Sequence, residues 1–160
     1  MAGHPKDRLG SHTDSALLAQ AGRVRLMPPL DRAVFYADDE GAVAAARLVS
    51  TGQGFMRLDD LLQQSVEGRE LWRALTVQNR QWASKEEVWW ELSWRLARAA
   101  KGVVNVFGPA RFVEDRPLAE YRHRHTTAAH ANTVFEKVEL PELEQNPRVT
   151  EIYFNGRLLS

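Results

Sequence analysis

SKEEVWWELSWRLARAAKGVVNVF, residues 84–107, reads as a helix that runs straight into a strand. Ser84 and Glu87 have the spacing of a capping box, and Gly102 supplies a C-terminal stop. At about 100° per residue, Trp89, Ser93, Leu96, Ala97 and Ala100 share one broad face, which Val88, Leu92 and Ala99 extend. Trp90 and Trp94 lie at its border, beside Glu91 and Arg98. A helix apolar over more than half its circumference is covered on two sides. VVNVF, 103–107, is rich in β-branched residues and reads as a buried strand.

The rest of the chain repeats this alternation. AVFYA, 33–37, is a short strand, and residues 38–50 form a helix with acidic residues at its start. TGQG, 51–54, breaks that helix, and residues 56–77 read as helical in two pieces around Gly68. TVFEKVEL, 133–140, is predicted as the third strand, stopping at Pro141, and VTEIYF, 149–154, as the fourth. Residues 108–132 read as a long polar loop. Strands separated by helices predict an α/β fold, with helices packed around a small, mostly parallel four-stranded sheet. Residues 1–29 are expected to be a polar leader or linker, and 30–160 the compact domain. The apolar patch in that leader, SALLAQAGRVRLM, fits either a helix or a docking segment.

Composition excludes several classes. Lys plus Arg and Asp plus Glu number 21 each, so no global charge draws the chain to nucleic acid or to an anionic membrane. Without cysteine there is no disulfide frame and no thiolate metal site. No run approaches the ~20 apolar residues of a membrane span. G-x-G-x-x-G, P-loop, G-x-S-x-G and H-E-x-x-H motifs are absent.

Alternation sets Thr133, Phe135, Lys137 and Glu139 on one face of the predicted third strand. A carboxylate at that end is either edge solvation or a catalytic group, because ligands of α/β sheets bind at strand carboxyl ends. Trp89 with Ser93 one turn later is an aromatic beside a small hydroxyl, suited to a flat ligand with polar edges. Asp59 and Asp60 open a helix, which the helix dipole alone explains. His123, His125 and His130 could hold a metal, but the neighbouring arginines favour a solvated basic loop.

As a set, AVFYADDE, MRLDDLL, VWWELSWRLARAAKGVVNVF and TVFEKVEL resemble the ADP-ribosyl cyclase family of NAD glycohydrolases, in the family's order, from about Ala33 to Gly156. The resemblance implies roles residue by residue. Glu139 takes the place of the catalytic glutamate, Trp89 of the tryptophan that stacks on nicotinamide, and Ser93 of a ligand-contacting serine. Tyr36 replaces a second pocket tryptophan, and Asp59 replaces a glutamate that holds the nicotinamide amide. Thr133 and Phe135 fall in a phosphate-contacting stretch. The family's serine-arginine after the first aromatic is Ala37-Asp38 here, which leaves Arg57, Arg95 or the 122–130 loop to meet phosphate.

The resemblance implies NAD+ or NADP+ as substrate, no separate cofactor and no metal. It also implies a small bacterial toxin module that leaves its cell on a delivery protein, acts in a target cell's cytoplasm and is blocked by a cognate immunity protein. Two rival classes remain. An ADP-ribosyltransferase toxin usually carries an acid or amide two residues before its glutamate, where Lys137 stands. A non-enzymatic module would use Trp89, Trp90 and Trp94 as a protein-binding face.

Overall fold

A computed structural model describes residues 15–76, 82–108 and 138–159, apart from the side chains of residues 38 and 82–84. Its strands are β1 (Val34–Tyr36), β2 (Gly102–Phe107), β3 (Val149–Phe154) and β4 (Arg157–Leu158). They form one sheet in the order β1-β2-β3-β4. The first three strands are parallel and β4 is antiparallel to β3. Six helices accompany the sheet among the described residues: α1 (Ser15–Arg23), α2 (Asp38–Val49), α3 (Leu58–Leu62), α4 (Val66–Thr76), α5 (Trp82–Ala99) and α6 (Leu140–Gln145). The expected α/β class and the mostly parallel four-stranded sheet are present, but the fourth strand comes from another part of the chain.

That strand is the main correction. Val138 and Glu139 make a wide helical turn that leads into α6, with Glu139 at φ −69° and ψ −51°. Residues 138–140 are therefore helical, and the earlier part of the predicted strand, 133–137, lies outside the described residues. Pro141 sits in the first turn of α6, where a missing N–H costs nothing. A proline that ends a strand and one that opens a helix look alike in sequence. The missing strand is supplied by a hairpin: Asn155 and Gly156, both at positive φ, return the chain onto β3 as β4.

Other boundaries moved for local reasons. The 56–77 helix breaks at residues 63–65 rather than at Gly68. The Ser65 hydroxyl accepts the Gly68 N–H at 2.9 Å and so caps α4. Gly68 lies inside α4, where a Cβ would stand 2.1 Å from the Leu62 carbonyl oxygen; close helix packing demands the glycine. α5 starts at Trp82, which places the expected cap Ser84 inside the helix.

Alternate residues of β2 and β3, among them Val104, Val106, Ile152 and Phe154, enter a core shared with Leu92, Leu96, Ala97 and Ala100 of α5. Residues 15–29, expected in the leader, pack with this body. Leu17, Ala21, Val24 and Leu26 are all buried in the same core. Burying the two leucines alone is worth roughly 3–6 kcal/mol, an upper estimate comparable to a whole domain's net stability. The apolar patch thus takes its helical alternative and belongs to the folded unit. Arg95 holds it there by donating to the carbonyls of Ala21 and Val24 at the end of α1.

Gly102 starts β2 at φ +77°, and a Cβ there would stand 1.9 Å from the Asp31 carboxylate. That carboxylate accepts the Val103 N–H at 2.7 Å. Gly102→Ala is expected to destabilise the fold by about 1–3 kcal/mol, through the left-handed backbone and loss of this bond. Equilibrium urea unfolding, with an unchanged slope and a lowered midpoint, is the check.

Candidate active site

Four chain segments converge on one cluster, buried at Ser93 and Glu139 and partly buried at Tyr36 and Asp59. Tyr36 is the last residue of β1, Asp59 lies in the first turn of α3, Ser93 is mid-way along α5, and Glu139 precedes α6. Glu139 and Ser93 are 7% and 4% exposed. Ser93 lies beside the Glu139 carboxyl, and its hydroxyl favours the ionised form. One carboxyl oxygen, Oε2, is buried with no hydrogen-bond partner among the described residues. A bare buried carboxyl oxygen costs on the order of 1–3 kcal/mol, which a fold tolerates where a ligand or water completes it.

Tyr36 donates its hydroxyl to Asp59 Oδ2 at 3.3 Å. Burial raises the Tyr36 pKa, and the Asp59 charge raises it further. Burial raises Asp59 as well, against the opposing charge of Arg57 and the Tyr36 hydrogen bond. Asp60, its neighbour, behaves in the opposite way. Burial would raise it, but Arg57 donates from its backbone at 2.8 Å and from its guanidinium at 2.9 and 3.0 Å, holding Asp60 ionised. Two adjacent carboxyls are thereby split: Asp60 closes an ion pair and opens the helix, and Asp59 turns to the cluster. Glu139 is pushed up to about 8, chiefly by burial and also by the Asp59 charge, with the Ser93 hydrogen bond opposing.

Trp89 stands one turn before Ser93 on α5 and is half-buried. Trp72 of α4 meets it edge to face, with ring centroids 6.1 Å apart at 85°. Sequence reading missed Trp72; its signal was a large aromatic inside the 56–77 helix, facing no obvious partner. Trp90, by contrast, is core at 6% exposure. Thr133, Phe135, the three loop histidines and Lys137 lie outside the described residues. Among the described residues, no group of three or more His, Cys, Asp or Glu is placed to hold a metal.

Of the arginines expected at a phosphate, Arg57 is committed to Asp60 and Arg95 to the end of α1. The 122–130 loop lies outside the described residues. Glu139 itself stands on a helical turn, so the shared strand face with Phe135 does not hold at its end.

No family model and no curated protein sequence matches the chain. Solved structures do. Aplysia cyclase complexed with substrate NGD and product cGDPR is 17% identical over 84% of this chain, with a TM-score of 0.52. ADP-ribosyl cyclase complexed with N1-cIDPR gives the same identity, coverage and TM-score of 0.52. A glutamate-to-alanine mutant of ADP-ribosyl cyclase gives 0.50 at 17% identity. The chain spans about half the length of these proteins, 52% of each. At that identity the likeness is one of fold: this chain has the fold of the ADP-ribosyl cyclase structures.

A carboxyl whose folded pKa lies above its unfolded value stabilises the fold below the unfolded pKa and loses that contribution as pH rises through the folded value. For Glu139 the window runs from about 4.5 to about 8. Glu139→Gln, neutral at every pH, is therefore expected to melt about 5 °C or more above the parent chain at alkaline pH, and within about 2 °C of it at acid pH. Thermal unfolding followed by circular dichroism across that range is the measurement.

Proposed function

We propose that this chain is an NAD glycohydrolase that breaks the nicotinamide–ribose bond of NAD+ or NADP+. The observation that carries the reading is the buried Glu139 carboxyl beside Ser93, with its Oε2 bare, on a fold shared with ADP-ribosyl cyclases.

The chemistry suits that group. As the C1′–N bond breaks, its electron pair leaves with nicotinamide and positive charge develops on the ribose. A carboxylate in a water-poor site stabilises that charge far more than it would in bulk water. The departing pyridinium already carries the charge needed for departure, so no general acid is required. Water then adds at C1′ and releases a proton, giving ADP-ribose; attack by the adenine ring instead gives cyclic ADP-ribose. Trp89 would face the cationic pyridinium, an attraction on the order of 1–2 kcal/mol, with Trp72 bracing its ring. Tyr36 and Asp59 would present a hydroxyl and a carboxyl to the nicotinamide amide.

With its pKa pushed up to about 8, Glu139 is largely protonated at neutral pH, and the working form is the carboxylate. Bound NAD+ brings a positive ring that favours ionisation. The expected profile therefore has kcat/KM rising with pH through about 8, and kcat rising at lower pH. Chromatography of NAD+ incubated with the purified chain should show free nicotinamide. Glu139→Gln should lower its rate by a factor of roughly 1,000. Nicotinamide release undiminished in the variant would remove Glu139 from the reaction; none from the parent chain would remove the activity.

The biological setting proposed with this activity is a bacterial toxin module. It would be delivered to a competitor's cytoplasm on a carrier protein and held in check by an immunity protein that covers the site. The small α/β domain and the absence of cysteine support that reading. Induced expression in the bacterial cytoplasm should drain intracellular NAD by about tenfold or more ahead of growth arrest, at a rate set by enzyme turnover. Unchanged NAD would overturn it.

A further inference from the structure

A second face of α5 is unrelated to the carboxyl cluster. Trp94 and Arg98 lie about 100° and 140° around the helix from Ser93. With Arg25, Leu26 and Met27 after α1, and Arg148 before β3, they border a groove of about 330 Å³. Three separated chain segments thus bring four arginines, Arg25, Arg95, Arg98 and Arg148, to one place. In a chain with equal numbers of basic and acidic residues, that is marked segregation.

The arginines divide by what they already hold. Arg95 is spent on the α1 carbonyls, and burial lowers its pKa. Arg148 gives one donor to the Arg98 carbonyl. The Arg98 guanidinium lies over the Trp94 ring at 4.7 Å and makes a long ion pair from Nε to Glu142 Oε1 at 3.8 Å, with its side chain 58% exposed. Arg25 is exposed and makes no hydrogen bond or ion pair among the described residues. Several guanidinium donors therefore face solvent around an apolar floor of Leu26 and Ala99. Met27 stands at the edge, 49% exposed.

This composition separates two kinds of occupant. A small anion needs convergent buried donors in an enclosed cleft. Here the partly buried guanidinium, Arg95, is consumed by backbone, and Arg25, Arg98 and Arg148 are exposed. Arginine, tryptophan and methionine around an apolar centre are the residues that protein interfaces concentrate, and guanidinium forks match carboxylates two oxygens at a time. We propose that this groove docks an acidic segment of a partner protein, with carboxylates on Arg25, Arg98 and Arg148 and an apolar side chain against Met27 and Leu26. The surface lies away from Ser93, so the assignment is independent of the NAD chemistry.

The test uses the full chain and a fluorescein-labelled peptide of alternating glutamate and leucine, followed by fluorescence anisotropy. Saturable binding is expected. It should weaken by about tenfold or more in the Arg25→Glu, Arg98→Glu double variant, and again between about 0.05 and 0.5 M salt. Met27→Asp should weaken it too, which separates docking from diffuse charge attraction. Both sets of changes are at exposed positions, and circular dichroism checks that the fold survives. Binding undiminished in the double variant, or equal binding of a lysine–leucine peptide, would overturn the proposal. Displacement of the peptide by inorganic pyrophosphate at lower concentration than by unlabelled peptide would also overturn it, assigning the groove to a small phosphate ligand.

Discussion

Asn146 joins the two halves of the candidate site. Its amide donates to the carbonyls of Ala97 at 2.9 Å and Ala100 at 2.8 Å, and reaches that of Arg98 at 3.2 Å. Its side-chain oxygen accepts the Arg148 N–H at 2.9 Å. One buried side chain thus satisfies the orphan carbonyls at the end of α5 and shapes the turn from α6 into β3. Because α6 is only one and a half turns long, fixing its end fixes its start, where Glu139 meets Ser93. Each of these bonds is worth about 1 kcal/mol, but leaving buried helix carbonyls unpaired costs more. Asn146 also aligns Val149 with Gly102, so the same clamp sets where β3 enters the sheet.

The cluster built on this clamp opposes stability. It gathers a glutamate, an aspartate and a tyrosine, each with its pKa raised first by burial. A purely structural role would be served better by an apolar residue at Glu139, since no cation pairs with it among the described residues. The arginine nearest the cluster, Arg57, is drawn to Asp60 instead. Among the described residues, Arg57 is the cation that acts on Tyr36 and Asp59, and burial outweighs it at both. That is the electrostatic condition under which a cationic ligand would be favoured, since each raised pKa would fall towards its ordinary value when such a ligand binds.

The arginines show how the same residue type is divided by geometry. Arg95 ends as a clasp on α1, which makes residues 15–26 part of the core rather than an appendage. Arg57 organises the start of α3 and so aims Asp59. Arg98 and Arg25 are left towards solvent on the opposite side of α5.

Much of this was legible in sequence. Periodicity located β1, α2, α5, β2 and β3, because apolar spacing reports directly which residues a core will bury. The order of short blocks also named the candidate residues Tyr36, Asp59, Trp89, Ser93 and Glu139. The Asn155-Gly156 hairpin and the Ser65 cap rest on residues with specific turn chemistry, but the sequence reading placed neither. Where sequence misled was the backbone at Glu139: alternation before Pro141 reads as a strand's end, and the same pattern fits a helix's first turn. Tertiary structure decided that, together with the Trp72–Trp89 contact, the Arg95 clasp and the burial that raises the Glu139 pKa. The physical reason is one of range. Spacing along a chain fixes which face a residue shares with its near neighbours. Desolvation, charge and ring contact depend on segments tens of residues away, which meet only once the core has closed.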